Sequence, residues 1–152
     1  MLDISEITDY LYIAAHPSGE YTNEVLVRDI RLVINMIWFK PAEEYTKDPF
    51  RMVTYRTFDS PFLRIPVGTL VKGVKEALPV INNGEAVMTY CREGRHRSVA
   101  MASCILIGCG YSADDAMNLI SSHREVADPR AAHIESQILK FEKVWKKENS
   151  SI

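Results

Sequence analysis

The sequence is short of cysteine, of long apolar runs and of net charge, and each shortage excludes a class of protein. Its three cysteines, Cys91, Cys104 and Cys109, stand 13 and 5 residues apart. An odd count with no C-x-x-C argues against a disulfide scaffold and against a zinc site, His96 being better explained otherwise. Cys104 and Cys109 lie in an apolar run and read as small buried hydrophobes. The longest apolar stretch beside a helix, Val99 to Gly110, is too short to cross a bilayer. A net charge of -2 argues against bulk nucleic-acid binding and leaves only a local basic patch open. The opening MLDISEITDY carries acids where a secretory leader has bases and an apolar core. The expectation is a cytoplasmic monomer that engages neither membrane nor nucleic acid. Repeats, low-complexity tracts and linkers are also missing.

What is present suits one domain with one core: 152 residues, 47% hydrophobic and 25% charged. The domain is expected over 1–148 with a tail over 149–152, and the chain reads as polar and frayed from Lys146 onward. Strand signals fall at Tyr10 to Ala14, Leu32 to Met36, Met52 to Arg56 and Ala86 to Tyr90, the last after the turn Asn82-Asn83-Gly84. Helical signals cover Asn23 to Asp29, Val67 to Ile81 (with Pro79 ending or bending it), Ser98 to Ile107 and Ala113 to Ser122, which Ser112 and Asp115 open as a capping box. Ile134, Ile138, Phe141 and Trp145 make one apolar stripe on a last helix, read as core packing. Strands alternating with helices, and helices dominating the end, predict an α/β domain with a central, mostly parallel sheet flanked by helices. Ligands of such sheets sit beyond the carboxyl ends of the strands.

The chemistry is concentrated in Tyr90-Cys91-Arg92-Glu93-Gly94-Arg95-His96-Arg97-Ser98, between a predicted strand and a predicted helix. Such a loop offers unpaired backbone N–H groups and the positive end of a helix dipole, which together cradle an anion. Gly94 permits the tight turn that aims those groups inward. Phosphate binding is therefore assigned to Arg92, Glu93, Gly94, Arg95, His96 and Arg97. The field that holds phosphate also stabilises a thiolate at Cys91, which makes it a nucleophile towards phosphorus. The planar fork of Arg97, six positions on, can take two phosphate oxygens. Ser98 can donate to the sulfur.

Cys-x-x-Gly-x-x-Arg-Ser in this setting resembles the signature of the protein tyrosine phosphatase superfamily, specifically the small dual-specificity phosphatases. Ile7 to Ala14 resembles that family's opening strand, Val33 to Met36 its next buried strand, and His133 to Phe141 its closing helix. The resemblance implies a cysteine-phosphatase fold, Cys91 as nucleophile, Arg97 as phosphate clamp and Ser98 as the hydroxyl that assists hydrolysis. It also implies an aspartate on an earlier loop as proton donor. Asp59, 32 residues before Cys91, occupies that place, and Asp48 reads as a turn residue. No metal and no organic cofactor is implied. Two features depart from the pattern. Tyr90 stands where the family usually has histidine, and its hydroxyl could take over part of the hydrogen bonding. The loop is also unusually cationic, similar to loops of plant and fungal atypical members that act on inositol pyrophosphates.

The expected substrate is a phosphorylated protein, chiefly at tyrosine and also at serine or threonine. A small phosphorylated molecule, such as an inositol polyphosphate or phosphoinositide, or an RNA 5′-phosphate, is the alternative. A non-catalytic phosphate-binding module is a third. Arg64, Arg124 and Arg130 read as surface arginines, and Gln137 as structural.

Overall fold

All six residues of Ala86–Cys91 are buried, as an apolar run covered on both faces of a sheet must be. This strand, β5, forms the middle of a five-stranded sheet in the computed structural model, which describes residues 1–150. The other strands are β1 (Ile4–Thr8), β2 (Leu11–Ala15), β3 (Ile30–Asn35) and β4 (Arg51–Thr54), in the order β1-β2-β5-β3-β4. β2, β5, β3 and β4 pair in parallel, and β1 pairs antiparallel with β2. The sheet is thus mixed, with the mostly parallel centre that the alternation predicts. β1 escapes the sequence reading because it is a short edge strand, half-buried, with Ser5 and Glu6 breaking its apolar pattern. The segment expected as one opening strand is the end of this hairpin and its second arm.

The helices are α1 (Thr22–Leu26), α2 (Val67–Asn82), α3 (Arg97–Gly108), α4 (Ala113–His123) and α5 (Ala132–Asn149). Every residue from Ser98 to Ile107 is buried, because α3 lies against β2 and β5 and is surrounded by α2, α4 and α5. A helix apolar all round is stable only in such a position. α2 continues through Pro79, so the proline does not end it. The carbonyl that this proline cannot pair belongs to Lys75, and both residues are exposed, so water can satisfy it. Ser112 caps α4 as expected, its Oγ accepting from Asp115 N–H at 3.1 Å. The polar segment expected to fray from Lys146 is instead helical to Asn149, and the remainder of that expectation falls on 151–152, outside the described residues.

Among the described residues no helix is long and apolar enough to cross a membrane. This architecture places the loop 92–96 at the carboxyl end of the central strand and the amino end of the most buried helix.

Candidate active site

Cys91 is the last residue of β5 and Arg97 the first of α3, so the loop 92–96 closes a single turn between them. Its four leading carbonyls are each held from outside. Arg92 O accepts from His16 N–H at 3.3 Å, and Arg95 O from Asp128 N–H at 3.0 Å. Glu93 O and Gly94 O accept from the Arg124 guanidinium at 3.0 and 2.7 Å. A peptide plane points its N–H opposite to its C=O. Fixing the carbonyls outward therefore turns the following amides inward, towards Cys91. Gly94 sits at φ +65, and a Cβ there would lie 2.6 Å from Arg124 Nη2 and 2.8 Å from Ala14 O. Only glycine satisfies both the backbone and the space.

Arg124 corrects the sequence reading. It is 3% exposed rather than a surface residue. Besides the two loop carbonyls it pairs with both oxygens of Asp3 at 3.0 and 3.1 Å and donates to Ser5 Oγ at 3.0 Å. It ties the loop to the β1 edge of the sheet. Tyr90, expected to share in holding the loop, is buried and packs edge-on against His16, and among the described residues its hydroxyl makes no hydrogen bond to the loop. Arg130 is at the surface, bridging Asp114 and Glu135, and Arg64 is exposed and bonds Ser136. Gln137 donates to Ile65 O at 2.7 Å, a structural role as expected.

Burial would push the Cys91 thiol up, but the opposing hydrogen bonds prevail and hold it below its ordinary value. They come from the Ser98 hydroxyl, with Oγ 3.1 Å from Sγ, and from the backbone N–H groups of Ser98, Arg95 and Gly94. A thiolate is the form these donors favour. Cys104, wholly buried, is pushed the other way by desolvation and stays a neutral thiol.

Arg97 donates from Nη1 to Thr57 O at 2.8 Å and to Met36 O at 3.4 Å, which anchors the fork to the segments after β3 and β4. Its Nε is buried and is the one such side-chain nitrogen or oxygen, among the described residues, without a hydrogen-bond partner. A buried orphan donor on a charged group is costly, and an anion in the adjoining cavity would satisfy it.

Asp59 follows β4 on the loop opposite. Its two oxygens are both occupied: Oδ1 lies 2.6 Å from His133 Nε2, and Oδ2 lies 2.9 Å from His96 Nδ1. Partial burial would raise the carboxyl, and these two hydrogen bonds override it and lower it. His96 also places Nε2 3.4 Å from Asp128 Oδ2. A cavity of about 270 Å³ is lined by Asp59, Cys91, Arg92, Arg95, His96 and Arg97, and by Glu93. It gathers the residues the sequence singled out, apart from Ser98, whose buried hydroxyl contacts the sulfur, and Gly94, which is buried in the loop. His133 and Asp128 were not among them. Neither has a local motif, because each meets the site only through the fold.

No protein-family model matches the chain, and no curated protein matches it. Solved structures do. Human DUSP28 superposes with a TM-score of 0.85 at 20% identity, covering 95% of this chain and 99% of that one. PTPMT1 superposes with a TM-score of 0.86 at 24% identity, covering 98% and 99%. A structure of PTPMT1 in complex with PI(5)P gives 0.82 at 24% identity over 95% and 97%. The chain has the fold of the small dual-specificity phosphatases, as the resemblance in its sequence implies.

Proposed function

We propose that the protein is a cysteine-dependent phosphatase that hydrolyses phosphate monoesters through a phosphocysteine intermediate. The observation that carries this reading is the pairing of the stabilised Cys91 sulfur with the buried, unpartnered Nε of Arg97 in one cavity. In the first step the Cys91 thiolate attacks phosphorus, the bond from phosphorus to the leaving oxygen breaks, and that oxygen takes a proton from Asp59. Arg97 and the inward amides take up the charge on the equatorial oxygens. In the second step water attacks the phosphocysteine, Asp59 accepts its proton, and the P–S bond breaks. The sulfur leaves as a thiolate stabilised by Ser98. No metal enters this cycle.

The substrate proposed first is a phosphotyrosyl side chain of a protein. Phe58, next to Asp59 in the chain, is half-exposed and packs against the half-exposed Trp38 with ring centroids 5.4 Å apart, apolar surface that supports binding of an aryl group. A second reading, a small substrate with several phosphates, rests on Arg92. It is exposed and has no ion-pair partner among the described residues, and Arg95 is only loosely placed, 3.9 Å from Asp128. A structure of PTPMT1, which has a similar fold, in complex with the phosphoinositide PI(5)P supports a non-protein substrate.

Hydrolysis of an aryl phosphate in the presence of EDTA tests the proposal. Wild type turns over, Cys91→Ser is inactive, and Asp59→Asn loses roughly 10²–10⁴-fold on a poor leaving group. An inactive, reduced and folded wild type would overturn it. Comparison of kcat/KM on phosphotyrosyl peptides and on inositol polyphosphates then separates the two substrate readings.

A further inference from the structure

Three metal-ligating side chains meet at the rim of the cavity although they come from distant parts of the chain. Asp59 lies on the loop after β4, His96 ends the phosphate loop and His133 is in the first turn of α5. One ligand atom from each lies within 4.8 Å of the others. From this we infer that Asp59, His96 and His133 form a binding site for a zinc-class divalent transition-metal ion, and that filling it shuts down the cavity.

Two imidazoles and one carboxylate are the donor set of many sites that keep an open position, and nitrogen donors select zinc over magnesium or calcium. With metal–ligand bonds of ~2.0–2.1 Å, tetrahedral donors stand about 3.3 Å apart. Asp59 now bridges the two rings, Oδ1 2.6 Å from His133 Nε2 and Oδ2 2.9 Å from His96 Nδ1, so its carboxylate, the most exposed of the three contributors, must give by a few tenths of an ångström to admit the ion. The second observation is Asp128. Its carboxylate oxygen lies 3.4 Å from His96 Nε2, on the far side of the ring from the Nδ1 that faces Asp59. When the ion displaces the Nδ1 proton that His96 now donates to Asp59, the carboxylate behind Nε2 keeps the remaining proton there and leaves Nδ1 free to ligate, the arrangement usual behind metal-bound histidines. Asp128 is itself held, its backbone N–H donating to Arg95 O.

Asp59 and His96 both line the cavity. A bound ion would occupy the carboxylate that protonates the leaving group and would place its charge at the entrance. The inhibitory half of the inference rests on the phosphatase reading, and the binding half does not.

The test uses the full chain, kept reduced and stripped of metal, with Zn²⁺ alone competed against a chromophoric chelator and no turnover involved. Wild type and Cys91→Ser are expected to bind one ion per chain with equal affinity, unaffected by excess Mg²⁺. Asp128→Asn is expected to bind roughly 10–100-fold more weakly. His133→Gln and Asp59→Asn, confirmed folded by circular dichroism, are expected to lose the site. Failure of wild type to compete with the chelator overturns the inference. So does undiminished binding in both His133→Gln and Asp59→Asn, or loss in Cys91→Ser alone, which would place the ion on the thiolate. With binding established, zinc should inhibit aryl phosphate hydrolysis and EDTA restore it. Binding without inhibition refutes the shutdown, and absence of any phosphatase activity refutes the proposed function while leaving the site intact.

Discussion

Replacing Arg124 by methionine keeps much of the side-chain volume and removes the donors that hold the phosphate loop. Two loop carbonyls, the partly buried one of Glu93 and the buried one of Gly94, lose charge-assisted hydrogen bonds of 3.0 and 2.7 Å. At about 1.5 kcal/mol each these amount to about 3 kcal/mol. The pair with Asp3 adds little, because that carboxylate is 60% exposed and water replaces its partner. For a chain of this size about 3 kcal/mol lowers Tm by roughly 6–12 °C. The chemical consequence is larger than the thermal one. With the carbonyls released, the Gly94 and Arg95 amides no longer point at the sulfur, and the Cys91 thiol rises towards its ordinary value. The assay is thermal unfolding together with the pH dependence of Cys91 alkylation by iodoacetamide. In wild type the alkylation rate begins to rise at a pH below that of an ordinary thiol, and in Arg124→Met this onset moves upward. A Tm drop under roughly 2 °C, the yield of less than about 1 kcal/mol, with an unmoved alkylation profile, would refute the argument.

Gly94→Ala should be more damaging than its single methyl suggests. The left-handed backbone costs an alanine ~1–2 kcal/mol, and the methyl must displace Arg124 or the backbone of Ala14, so both Tm and kcat fall. Ser98→Ala leaves the amides in place but removes the hydroxyl 3.1 Å from the sulfur, so breakdown of the intermediate slows more than its formation and a burst of the leaving group precedes the steady state in stopped-flow traces. Asp59 must carry a proton in the first step, yet the hydrogen bonds from His133 and His96 outweigh burial and hold its carboxyl low, so the acid form becomes scarcer as pH rises. His133→Gln removes one of these and raises the carboxyl. The alkaline fall of kcat on a poor leaving group should then move to higher pH, whereas an unchanged or acid-shifted limb would contradict the assignment.

The part of the site that was legible in the sequence is the part that is contiguous. β5, the loop and α3 lie end to end, so the apolar strand, the glycine, the cysteine and the arginine spell out the anion cradle in order. Asp59 was reachable through the family resemblance, being separated from the loop by only α2 and β5. Arg124 was not. An arginine at the end of an amphipathic helix looks like a surface residue, and its burial follows from the packing of α4 against β1, a strand the apolar pattern concealed. His133 meets Asp59 across 74 residues, and Asp128 meets His96 across 32, separations at which no local pattern exists. That Pro79 does not end α2 was hidden for a different reason. Its effect on a helix depends on whether the freed carbonyl faces water, which periodicity alone does not tell.

The most direct test of the central claim is to trap the intermediate. Enzyme mixed with an aryl phosphate, quenched in acid within the burst and digested, should yield the peptide containing Cys91 with one phosphate attached. Asp59→Asn should accumulate it where the leaving group is good, and Cys91→Ser should give none. Turnover by wild type with no phosphate on Cys91 at any time point, or equal turnover by Cys91→Ser, would contradict the account.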